Sequence, residues 1–149
     1  MATIMRCTFG QAVRRSRSRV RARSTSSSLP APDARLERDE LVVAYMPKVD
    51  VDDGRIVGAE ALLRWRLPGY GDISPSQFIP LAEETSLILD IGEWVMNRAC
   101  SDYRAWQKQV PQPGRVSINL SLRQLKQTGF ISRFRAVFRK HDVSPTCFE

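Results

Sequence analysis

The sequence has no uninterrupted apolar stretch of the ~20 residues needed to cross a bilayer, so no transmembrane segment is expected. Histidine occurs once, at His141. No cysteine or serine stands at a spacing that would pair with it, and no nucleophile elbow is present, so nucleophilic catalysis has no support. His141 is expected instead at a helix end on the surface. Cysteine is scarce and scattered, at Cys7, Cys100 and Cys147. An odd set without metal-ligand spacing argues against a disulfide scaffold and suits a reducing compartment. The glycines match neither the phosphate-binding loop nor the dinucleotide fingerprint. There is no internal repeat.

Acidic residues are absent from positions 1 to 32, where seven arginines stand. From Asp33 onward the sixteen remaining basic residues face sixteen acidic ones. The net charge of +7 therefore belongs to the leader and not to a folded basic face. No specific nucleic-acid partner is expected. The leader, QAVRRSRSRVRARSTSSSLPAP, is arginine-serine biased and cannot build a core, so residues 1–32 are expected to be disordered. It has four open readings: a tail or upstream sequence from a misplaced start, a linker cut from a longer protein, a nonspecific anionic-polymer or membrane contact, and an organellar targeting peptide. A bacterial secretory signal is not expected, because no apolar segment follows the charges. Residues 33–149 form one domain of ordinary size.

Within that domain, Leu41 to Tyr45 form a β-prone run, and Pro47 places it at a sheet edge or a strand end. DVDDG, residues 50–54, is a turn, and IVGAEALLRW, residues 56–65, is a second strand in a hairpin with the first. RLPGYGDISPSQF, residues 66–78, reads as a loop that ends in Ser74 as N-cap and Pro75 at the first helical position. A short helix with Phe78, Ile79, Leu81 and Ala82 follows. An amphipathic helix from about Ile91 to Gln109 carries Trp94, Val95, Ala99, Tyr103 and Trp106 at spacings of three and four. PQPG stops it. RVSINLS, residues 115–121, alternates as a strand. Leu122 to Lys140 is helical with a break at Gly129, and Thr146 to Glu149 opens another strand. Alternating strands and helices after the first pair predict βα units and a parallel sheet.

Strands covered by helices on a parallel sheet are expected to be continuously apolar. Glu60 interrupts the second strand and Asn119 the third, both towards the C-terminal half of their strands, where α/β enzymes assemble their sites. Arg64 shares the parity of Glu60, so period two puts both on one face. A buried carboxylate must be paired or metal-bound. Glu60 and Asn119 can offer oxygen ligands to a hard divalent cation such as magnesium or manganese. Arg64 can contact phosphate oxygens, and together they suggest metal-assisted phosphodiester chemistry. Two bland alternatives stand beside this reading: Glu60 and Arg64 as an internal ion pair, and Asn119 as a cap on local backbone. Asp50, Asp52 and Asp53 lack calcium-loop spacing and read as a solvated turn. Glu83 and Glu84 read as a solvated helix end, and Trp65, Trp94 and Trp106 as packing residues.

YMPKVD, GRIVGAEALLRW, FIPLAEET, IGEWV with AC, and VSINLS followed by Gln124 resemble, in order and spacing, the first part of an EAL domain. That family comprises bacterial phosphodiesterases of cyclic-di-GMP. The resemblance runs from about Leu36 to Glu149. It implies an α/β fold, an incomplete TIM-like (β/α)8 barrel with an antiparallel first strand. It implies hydrolysis of cyclic-di-GMP to pGpG with Mg2+ or Mn2+, Glu60 and Asn119 as metal ligands, and Arg64 on a substrate phosphate. A bacterial cytoplasmic location, and an EAL-type homodimer for a complete domain, go with it.

Two departures qualify the resemblance. Met46 stands where the family usually has glutamine, and a thioether cannot replace an amide that both donates and accepts. By register Glu149 lies two positions before a further family metal ligand; a paired-aspartate segment, a lysine and a later glutamate are also absent. No catalytic set is complete in this chain. The expectation is a truncated product or fragment, inactive alone, with a noncatalytic regulatory or protein-association module as the alternative.

Overall fold

In the computed structural model, residues 40–149 are described; the leader and the first residues of the domain lie outside them. The elements are β1 (Leu41–Val49), β2 (Ile56–Leu67), β3 (Gly71–Ile73), α1 (Pro75–Glu84), α2 (Leu87–Gln107), β4 (Arg115–Ile118), α3 (Leu122–Leu125) and α4 (Phe130–His141), followed by a 3-10 turn at Pro145–Cys147.

The aspartate-rich turn closes the first hairpin. Asp52 N donates to Asp50 Oδ1 at 2.9 Å and Arg55 N to Asp53 Oδ1 at 2.9 Å. Gly54, at φ 72°, takes the left-handed position that a side chain disfavours. β1 then runs antiparallel to β2 from Leu41 opposite Trp65 to Val49 opposite Ile56. Pro47 lies within β1, which pairs only with β2 among the described residues, and an edge is where a proline without an N–H is tolerated.

β2 is the centre of the sheet. On its second edge β4 runs parallel beside Gly58–Ala61, and β3 runs antiparallel beside Trp65–Leu67. The first strand is thus antiparallel to strands that are parallel to each other, as expected. Beyond β4, the main chain of Glu149 donates to Val116 O at 3.0 Å and accepts from Ile118 N at 2.9 Å, so a further parallel pairing begins at Phe148.

Two boundaries differ from expectation. The 66–78 loop contains a hairpin: β2 continues to Leu67 and turns through Pro68 and Gly69 into the three-residue β3. Arg66 and Asp72 flank it with an ion pair at 3.3 Å. A strand of three residues is too short to leave an alternation pattern. α2 begins at Leu87, one turn before Ile91, because Ser86 reverses the chain at φ 63°. Arg123 holds that strained residue, donating to Ser86 Oγ at 2.9 Å and to the carbonyl of Glu83.

The helices cover one face of the sheet. Leu41, Trp65, Phe78, Ala82, Ile88, Ile91 and Val95 form the main cluster, with Val43 and Leu63 against it. Ala61, Tyr103, Val116 and Val143 form a second, and Met96, Cys100 and Val137 join α2 to α4. The tryptophans are packing residues, as expected. Trp65 stands edge-on to Phe78 at 5.6 Å and gives its Nε1–H to the buried Glu40 carboxylate at 3.1 Å. Trp106 meets Tyr45 at 4.6 Å. Among the described residues no helix is long and apolar enough to cross a membrane.

Candidate functional site

Because Leu41, Val43 and Tyr45 of β1, Ala61, Leu63 and Trp65 of β2, and Val116 and Ile118 of β4 face the helices, period two sends their neighbours to the opposite face. That face carries Met46 and Lys48 from β1, Glu60 and Arg64 from β2, and Ser117 and Asn119 from β4 or just past it. Register fixes their order across the sheet: Met46 opposes Glu60, and Glu60 opposes Ser117.

Glu60 and Asn119, 59 residues apart in sequence, meet directly. Asn119 Nδ2 donates to Glu60 Oε1 at 2.8 Å. Among the described residues the Asn119 side chain bonds to Glu60 and not to local backbone, and the helix that follows is capped by Ser121. Ser121 Oγ accepts from Gln124 N at 3.3 Å, and Gln124 Oε1 accepts from Ser121 N at 2.8 Å, a reciprocal capping box. Gln124 is buried, and its side-chain nitrogen lies where a Cβ on Gly92 of α2 would be, 1.6 Å away. A helix glycine therefore seats the amide that caps α3, and the cap fixes the chain two residues after Asn119.

Glu60 is not in the C-terminal half of its strand. β2 runs on to Leu67, which leaves Glu60 in the first half. The overhang pairs with β3, so Glu60 sits near the C-terminal end only of the stretch shared with β4. Arg64 lies on the same face but about 13 Å further along the strand at ~3.3 Å per residue. No ion pair joins it to Glu60 among the described residues. Its Nη1 instead donates to the carbonyl of Leu63 at 2.9 Å. The ion-pair alternative thus fails on distance.

One carboxylate and one amide in contact suit a hard cation in kind. They fall short in number, since no group of three or more His, Cys, Asp or Glu that could hold a metal occurs among the described residues. Two concavities, one lined by Arg135, Phe138 and Arg139 and one by Asp90, Glu93 and Gln124, belong to the helices and include neither Glu60, Arg64 nor Asn119. His141 ends α4, with Nε2 3.2 Å from Asn97 Oδ1, away from this face.

One polar cluster was not anticipated from sequence. Lys48 Nζ contacts both Ser117 Oγ and Glu149 Oε1, and Ser117 Oγ donates to the same carboxylate oxygen at 2.9 Å. Arg115 Nη1 stands 3.8 Å from Glu149 Oε2. The hydrogen bonds from Lys48 and then Ser117 hold the Glu149 carboxyl below the usual carboxylate range. The signal for it was available: Lys48 has the parity of Met46, and Ser117 that of Asn119.

A helix-covered sheet whose other face carries the polar side chains has the layout of a wall in a TIM-like α/β barrel. Comparison with known proteins specifies which one. The chain belongs to the EAL domain family, matched over residues 31–149.

It is 42% identical over 111 residues to the bifunctional diguanylate cyclase/cyclic di-GMP phosphodiesterase MucR of Pseudomonas aeruginosa, covering 74% of this chain and 16% of MucR. It is 35% identical over 107 residues to the cyclic di-GMP phosphodiesterase PA2567 of the same species, covering 72% and 18%. Among solved structures, the P. aeruginosa MucR phosphodiesterase in complex with c-di-GMP superposes with a TM-score of 0.74 at 40% identity, over 78% of this chain and 47% of that one. The FimX EAL domain of P. aeruginosa bound to c-di-GMP shares the fold, at a TM-score of 0.65 and 20% identity. The chain spans about a sixth of the length of the curated relatives it matches, and the match falls on the N-terminal part of the EAL domain.

Proposed function

We propose that this chain supplies the first metal- and phosphate-binding residues of a cyclic-di-GMP phosphodiesterase site. Glu60 and Asn119 hold Mg2+ or Mn2+ through oxygen, and Arg64 takes a phosphate oxygen of the cyclic dinucleotide. The observation that carries this reading is the 2.8 Å contact between Asn119 and Glu60, on the face that also presents Arg64. The cation, when bound, polarises a phosphoryl oxygen and lowers the pKa of a water. Glu60 and Asn119 set its place, and Arg64, with no carboxylate partner among the described residues, orients the anion.

Two oxygen donors do not make an anionic metal pocket, so the 149-residue chain is expected to bind cyclic-di-GMP weakly and not to turn it over alone. The second reading is a noncatalytic EAL-type module acting in regulation or protein association. Residence in the bacterial cytoplasm, and a homodimer for the whole domain, go with either reading.

Calorimetric titration with cyclic-di-GMP in Mg2+ and in Ca2+, beside a hydrolysis assay, separates them. Binding that Glu60→Ala weakens by about tenfold or more supports the proposed site. Binding without turnover favours the regulatory module, and turnover lost in Glu60→Ala overturns the expected inactivity. Binding indifferent to Glu60→Ala removes the proposal.

A further inference from the structure

The polar face has two tiers, and only the upper one enters the proposed function. The lower tier is Lys48, Ser117, Arg115 and Glu149. Its geometry is set by an absence: Gly58 lies between Lys48 and Arg115 in register and presents no side chain. A Cβ there would lie 2.4 Å from the carbonyl oxygen of Arg115, so the gap cannot be filled. The ammonium of Lys48 crosses this bare stretch of β2 to reach Ser117 on β4 and Glu149 beyond it. Glu149 thus grips β4 twice, through main-chain bonds to Val116 and Ile118 along its edge and through its side chain on Ser117 across its face.

β4 is only four residues long, and Asn119 follows it directly. Val116 and Ile118 anchor its covered face in the core, whereas its uncovered face is held by the Ser117 contacts, beside four register pairs to β2 on one edge and Glu149 on the other. Ser117 is also the cross-strand neighbour of Glu60. A restraint on Ser117 therefore acts on the one strand whose position decides whether Asn119 and Glu60 meet.

We infer that Lys48 is a positioning residue of the Glu60–Asn119 pair, acting through Ser117 and Glu149 to fix β4 against β1 and β2; this rests on the metal-binding reading above. Among the described residues the Lys48 ammonium bonds to Ser117 and Glu149 and not to Glu60 or Asn119, and its role is geometric. The inference has an unusual consequence. By charge alone, deleting a lysine beside a cation site should tighten cation binding, because a repelling charge is gone and Glu149 keeps only the more distant Arg115. By position, the same deletion should loosen it.

The test is a Mn2+ titration of the full chain followed by electron paramagnetic resonance, with Glu60→Gln as reference. Lys48→Met is expected to raise the Mn2+ dissociation constant about threefold to tenfold, less than the ~10–100-fold typical when a group bonded directly to a metal ligand is removed. Lys48→Arg, which keeps the reach and the donors, should recover most of it. Ser117→Ala should weaken binding in the same direction while leaving every charge in place, and it carries the test if Lys48→Met does not fold. Unchanged or tighter Mn2+ binding in Lys48→Met, or unchanged binding in Ser117→Ala, overturns the inference. Absence of Mn2+ binding in the wild type, or binding that Glu60→Gln leaves intact, overturns the metal reading instead.

Discussion

The two faces of this sheet are made by the same strands and follow opposite rules. The covered face is built from Ala61, Leu63 and Trp65 packed with the helices' Phe78, Ile91 and Val95, and its few polar atoms pair within it, Trp65 with Glu40 and Tyr45 with Asp102. The uncovered face places Glu60, Arg64 and Asn119 among Met46, Lys48 and Ser117, and its bonds join residues tens of positions apart. Packing tolerates no loss of volume on the first. Substitutions on the second should cost less in stability than in chemistry.

Substitutions of comparable kind on the two faces break that comparison most sharply. Trp65→Ala removes an indole from the main cluster and strands the Glu40 carboxylate, and is expected to cost about 3–5 kcal/mol by denaturant unfolding. Glu60→Gln, five residues earlier on the same strand, should stay within about 0.5 kcal/mol while abolishing the Mn2+ response. A large loss of stability in Glu60→Gln would mean that the uncovered face also carries the fold.

The faces should also separate by pH. On the covered side, burial pushes the Cys100 thiol up from 9.0 to about 12, assisted by Cys147. Burial likewise raises the Tyr103 phenol from 10.0 to about 12, and Cys147 adds to it. Tyr45 is raised by burial first and then by the Asp102 carboxylate, to which its hydroxyl donates at 2.9 Å. Each group is held neutral in the fold and ionises earlier in the unfolded chain. Their contribution is complete below pH 9 and is lost as pH rises towards 12. Glu149 on the uncovered side has the opposite sign, and its contribution goes only as pH falls below the ordinary carboxylate value. Thermal melting across pH should show an alkaline decline that Cys100→Ala or Tyr45→Phe reduces, and an acid decline that Glu149→Gln reduces.

The smallest expected effect concerns ligand affinity alone. Met46 lies opposite Glu60 and is half exposed. Met46→Gln returns a donor and an acceptor beside the carboxylate, and should tighten cyclic-di-GMP binding about threefold to tenfold, the worth of one hydrogen bond. Calorimetry that finds no change would place Met46 outside the binding path.

Much of this was legible in the chain. A β-prone run located β1, the turn at residues 50–54 and the apolar run after it located β2, and alternation located β4; the three-four spacing located α2 and α4, and Gly129 marked the break before Phe130, where its φ is 77°. Parity alone put Glu60 and Arg64 on one face. Register was not legible, because it is a non-local choice: nothing near Asn119 says that Ser117 will lie opposite Glu60. Parity pointed to the face of the Lys48 cluster, but its four members, Lys48, Arg115, Ser117 and Glu149, come from three segments that only the register of the sheet brings together. The Pro68–Gly69 hairpin escaped because three residues of strand leave no periodic trace.

Gly92 gives the molecule a lever. It lies on the helix side, remote from every charged group on the uncovered face, yet the space it leaves empty is taken by the Gln124 amide. A single methyl at this position would evict that amide, undo the turn it closes at Ser121, and shift Asn119 without altering any residue near it. The Glu60–Asn119 geometry therefore depends on a buried helix position that touches neither residue, and a single added methyl there would disturb the pair from behind the sheet.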